Sequence, residues 1–144
     1  AAIEYLGQER WNTMYDFTGM IKTGATVTYS SDVIGENEEY RADPYFGMEI
    51  SATRVDLSHP LNPDKYPGSV RPPINARLTV EQMIDGYTRA GAVPFRMSDK
   101  IGTIEEGKYA NLAVLNKNIF EISADEIHMV KAELVMFEGE FIKK

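Results

Sequence analysis

Apolar residues recur along this chain in two rhythms. Met14, Phe17, Met20 and Ile21 fall at helical spacing, and Gly24 stands where such a helix would stop. A helix over about 12–23 is predicted, whereas residues 1–11 show no clear period. Ala25-Thr-Val-Thr-Tyr-Ser30 is rich in β-branched and aromatic residues and predicts a buried strand, closed by Ser31 and Asp32. Beyond a polar loop, Asp43-Pro44 reads as N-cap and first helical position. The helix predicted there, 44–55, would place Phe46, Ile50 and Thr53 on one side. Thr79 and Gln82 have capping-box spacing, Leu78 and Met83 occupy the staple positions, and Val80, Met83, Ile84 and Tyr87 form an apolar stripe. Gly91 and Pro94 are expected to end that helix.

From Lys100 onward the period changes to two. Strands are predicted over 109–115, 129–137 and 140–142, with Val130, Ala132, Leu134 and Met136 sharing one face. Ser123 and Glu126 form a second capping box and start a short helix. The helix-rich part and the β-rich part divide into two expected domains, 1–98 and 99–144. Five of the seven prolines lie in the irregular segment 56–78, which is either a lid over a site or a stiff surface connection.

Composition narrows the function classes. With 144 residues and 43% hydrophobic content the chain can bury a core. Its net charge of −7, without a basic run, argues against nucleic acid and anionic membrane as partners. The absence of cysteine rules out disulfides and thiolate metal sites and suits a reducing cytoplasm, where we expect the protein. No apolar run approaches the roughly 18 residues of a membrane span, and no signal peptide is visible. The first residue is Ala1 rather than Met, as expected of a processed or truncated product.

Few side chains offer chemistry. Asp32, at the end of the predicted strand, is either a site carboxylate or the cap of the next segment. His59, in the proline-rich segment, reads as a solvated loop residue, with substrate contact as the alternative; His128 reads as structural. Arg54 reads as a structural ion pair with a nearby acid, against an anion contact. Glu36, Glu38 and Glu39 read as solvated loop surface rather than a calcium site, and Trp11, Tyr15, Phe17 and Met20 as packing. Gly102-Thr-Ile-Glu-Glu-Gly107 lacks the Lys-Ser/Thr pair and following helix of a phosphate loop.

Gly102-Thr-Ile-Glu-Glu-Gly-Lys-Tyr-Ala-Asn-Leu-Ala-Val-Leu115 resembles the C-terminal signature of the amidohydrolase superfamily. Ser31-Asp32 resembles the Gly-Ser-Asp segment closing its eighth barrel strand, and Ile50-Ser-Ala-Thr-Arg54 the Ala-Val-Thr-Arg segment after it. Leu78-Thr-Val-Glu-Gln-Met-Ile-Asp-Gly-Tyr-Thr88 resembles the Leu-Thr-x-Glu-Glu helix. Together they resemble amidohydrolase family 3, the group containing N-substituted formamide deformylase-like hydrolases. Asn111 departs from the usual Asp of the signature, and Ser30 from a frequent Gly.

The resemblance implies an α+β chain: a C-terminal remnant of a (β/α)8 barrel, about its last βα unit with helices, then a small β-rich sandwich subdomain. A whole barrel needs about 250 residues. It also implies a metal-dependent hydrolase of non-peptide C–N bonds, with a small amide-like substrate and a divalent metal, zinc. The aspartate matching Asp32 would bind that metal and accept a proton from its water. The family's His-x-His pair is absent; only His59 and His128 are present. The resemblance therefore implies a fragment that is inactive and binds no metal alone, since one carboxylate cannot make a zinc site. Sheets lacking their neighbours should self-associate through exposed edges. The rival expectation is a self-contained, non-catalytic interaction module derived from such an enzyme.

Overall fold

The computed structural model describes residues 2–33, 35–36, 39–57 and 71–143. His59, Glu38 and most of the proline-rich segment lie outside the described residues. Among the described residues four α-helices are followed by a three-stranded antiparallel sheet of order β1-β2-β3, an α+β arrangement. The helices are α1 (Ala2–Asn12), α2 (Phe17–Lys22), α3 (Pro44–Thr53) and α4 (Val80–Tyr87); the strands are β1 (Leu112–Leu115), β2 (Ala132–Phe137) and β3 (Glu140–Lys143).

Capping explains where the central helices start. The Asp16 carboxylate accepts the Gly19 amide and so opens α2. Asp43 caps α3 through the Tyr45 amide, with Pro44 at the first helical position. Both capping-box bonds of α4 form: the Thr79 hydroxyl accepts the Gln82 amide at 3.2 Å, and the Gln82 side chain accepts the Thr79 amide at 2.9 Å.

Several expectations are corrected. Residues without a clear period form α1, interrupted at Gly7 with φ 75°. The helix over 12–23 shortens to α2, because Thr13 to Tyr15 turn and Asp16 restarts the chain. In α3 the buried residues are Met48 and Glu49, whereas Phe46, Ile50 and Thr53 are only half-buried. Helix α4 ends at Tyr87, ahead of Gly91 and Pro94, where the Thr88 amide and hydroxyl turn back onto Ile84. The second capping box opens a 3-10 turn, Ala124–Met129, rather than an α-helix. The first two strands begin three residues later than predicted.

The largest correction concerns Ala25–Ser30, which joins no sheet. The segment is extended and strand-like in burial: Val27, Tyr29, Ser31 and Val33 are half-buried, whereas Thr28, Ser30 and Asp32 are exposed. Period-two burial thus arises without a ladder. One face lies against the helices, but no described strand stands beside it to take its amides and carbonyls.

Met48, Leu78, Met83, Ile119, Ile127 and Val130 form the core, with Phe17, Ile21, Tyr29, Ile84 and Tyr87 packed around it. It sits between α3, α4 and the 3-10 turn. Burying each large apolar side chain there is worth roughly 1.5–3 kcal/mol. No described helix is long and apolar enough to cross a membrane.

Candidate functional site

Asp32 ends the extended segment. Its side chain is exposed and its backbone is left-handed, with φ 50°, a conformation uncommon for residues other than glycine. A cavity of about 800 Å3 opens beside the segment, with Thr28 and Ser30 on its wall. Tyr45, Tyr87, Thr103 and Asn111 add polar groups to a lining that also includes Met48, Ile84 and Leu112. Phe95 and Ile104 at its margin are 74% and 88% exposed. Tyr29 holds the segment from below. Its ring is 5.5 Å from Tyr87 and meets Phe17 edge-on at 6.3 Å. Burial pushes the Tyr29 phenol above its ordinary pKa, with Tyr87 and Asp85 adding to the shift.

Arg54 is structural, as expected, but it is held chiefly by carbonyls rather than by one acid. Its guanidinium is buried and donates to the carbonyls of Met14, Tyr15, Arg71 and Pro72 at 2.7–3.3 Å. Burial lowers its pKa first, then the like charge of Arg71, while Asp16 opposes both. It also closes α3 in left-handed conformation, φ 64°. It is therefore a structural tie rather than an anion contact. Arg71 in turn lies over the Trp11 ring at 4.4 Å and the Tyr15 ring at 5.2 Å, so those aromatics pack as expected, whereas Met20, also expected to pack, is 52% exposed.

His128 is structural. Its Nδ1 lies 2.6 Å from Glu49 Oε2, and its backbone N–H donates to the same oxygen at 2.8 Å. Glu49 is 1% exposed, and the residue reading passed over it. The signal was present: Tyr45, Met48 and Ala52 make an apolar stripe, and Glu49 stands in its i+4 slot. Glu36 and Glu39 are exposed, as expected of solvated surface, but Glu39 opens a 3-10 turn, Glu39–Ala42, where a loop was predicted.

The signature from Gly102 also turns out to be architecture. Lys108 Nζ bonds Thr103 Oγ1 and pairs with Glu105 at 3.4 Å, and the Tyr109 amide returns to the Lys100 carbonyl. Asn111 Oδ1 accepts the Glu138 amide at 2.8 Å and so holds the β2–β3 turn. An amide oxygen serves there as well as a carboxylate would, which explains why Asn is tolerated.

A family model described as amidohydrolase family matches residues 1–142. The chain belongs to the amidohydrolase family. No curated protein and no solved structure matches it. Amidohydrolases are hydrolases, so the chemistry of Asp32 has to be weighed against the metal that the family implies. Among the described residues no three His, Asp or Glu side chains come together to hold a cation. The donors described in this amidohydrolase chain therefore do not fit a metal centre, which takes at least three protein ligands.

Proposed function

We propose that this chain is the C-terminal portion of a metal-dependent amidohydrolase acting on non-peptide C–N bonds, with N-substituted formamides as the substrate class. Water and the amide would yield formate and an amine. Asp32 is the carboxylate this chain contributes, binding metal and moving a proton; zinc and the remaining donors come from outside the described residues. Residues 1–98 represent the end of the barrel and 99–144 part of a composite β-sandwich. Alone, the chain binds no metal, does not hydrolyse amides, and associates with copies of itself through its sheet edges; its place is the cytoplasm. One observation carries this reading: the family match spans 1–142, and within it an exposed carboxylate ends a segment of strand-like burial beside a cavity.

The test is metal content by plasma mass spectrometry after dialysis against zinc and then buffer. Near-zero zinc is expected for the chain. One tightly bound zinc per chain, lost in Asp32→Asn, would show a self-contained site and overturn the inactive-fragment reading. In a longer protein carrying a His-x-His strand with this chain, Asp32→Asn should lower formate release by roughly 100-fold or more. Undiminished release would remove Asp32 from the chemistry.

A further inference from the structure

The segment carrying Asp32 needs an anchor. Beyond the Ala25 amide, which donates to Met20, its backbone joins no ladder. Residues 25–33 lie between the cavity beside Thr28 and a smaller groove of about 320 Å3 lined by Ala25, Val27, Asp85 and Arg89. What reaches down from it is the Tyr29 ring. That ring is seated on Gly86, inside α4. A methyl group at Gly86 would lie 2.0 Å from Tyr29 Cε2 and 2.3 Å from Cδ2, closer than any real Cβ contact. Gly86 is the last residue but one of α4. The space it leaves is filled by Tyr29, whose ring also meets Phe17 and Tyr87.

We propose that Gly86 is a positioning residue: its bare backbone seats the Tyr29 ring, and the seated ring sets the register of the segment that presents Asp32. Tyr29 and Asp32 are three positions apart, a reach of roughly 10 Å. A side chain at position 86 would lift the ring, slide the segment along α4, and release the left-handed turn at Asp32. The phenol oxygen takes no part. Among the described residues it has no hydrogen-bond partner, and the contacts of the ring are with Gly86, Phe17 and Tyr87. The functional meaning of the seat rests on the proposed role of Asp32; its existence does not.

Because the chain has no cysteine, one spin label can be placed at position 32 through Asp32→Cys, and a control label at exposed position 121 through Glu121→Cys. Label motion is then read by electron paramagnetic resonance well below the unfolding temperature. In Gly86→Ala and in Tyr29→Ala, the correlation time at position 32 should shorten by roughly two-fold or more, with position 121 unchanged. Tyr29→Phe keeps the ring and should leave both labels unmoved. Unchanged motion at 32 in folded Tyr29→Ala would overturn the proposal, as would equal changes at 32 and 121. Should Gly86→Ala not fold, Tyr29→Ala, which removes the ring without a clash, decides alone. The label reports order at 32 whether or not that position does chemistry. A failed seat is therefore seen in resonance, and a failed role for Asp32 in the metal and formate measurements.

Discussion

Glu49 is the residue whose environment departs furthest from what its chemistry prefers. A carboxylate 1% exposed must be held by donors, and two of them come from His128. Removing the ring leaves the acid with the backbone amide as its remaining His128 donor. We expect His128→Ala to destabilise the fold by roughly 2–4 kcal/mol. In a Glu49→Gln background the same substitution should cost much less, because no buried charge is stranded. A urea-denaturation double-mutant cycle measures the difference, and additivity would refute the coupling. Asp32 was legible as a candidate because it closes a strand-like run. The tasks of Glu49 and Gly86 were not, since both depend on partners far along the chain, His128 and Tyr29. The partners of Arg54 were illegible for the same reason: the carbonyls it collects come from two distant stretches, although its structural role was read.

Helix starts carry local signals and were legible at α3 and α4, whereas helix ends, helix type and strand pairing depend on neighbours. The α4 capping box lies within four consecutive residues, and its bonds form as its spacing predicts. Strand propensity at 25–30 was equally clear, yet a strand exists only where a second strand accepts its bonds, and none is described there. The sheet shows the converse. Strand β1 pairs with β2 on one side, and no described element packs on its other side. Its residues Leu-Ala-Val-Leu carry no charge, whereas the opposite edge strand, β3, begins with Glu140. Uncharged edges template pairing with another chain. Sedimentation velocity should therefore find a dimer that Val114→Lys returns to monomer; a monomeric parent chain would remove this expectation.

For the molecule as a whole, stability at high pH follows from three tyrosines. Burial raises the phenol pKa of Tyr29, Tyr45 and Tyr87 above the ordinary value of 10.0. Near neutrality all three are un-ionised in both folded and unfolded states. Above pH 10 the unfolded chain loses these protons first. Their contribution is thus fully present below the unfolded value and lost as pH rises through the folded ones. An alkaline titration followed by tyrosinate absorbance should show late-ionising tyrosines that become ordinary in urea. Replacing all three with Phe should flatten stability over that range. One further consequence belongs to the order in which the chain is made. Helix α3 is tied at its cap to Lys131, 88 residues downstream, and at its centre to His128, 79 residues downstream. At synthesis rates of ~5–20 residues per second, Glu49 leaves the ribosome roughly 4–16 s before its partner exists. The acid at the centre of α3 thus stays hydrated until the turn carrying His128 has been translated.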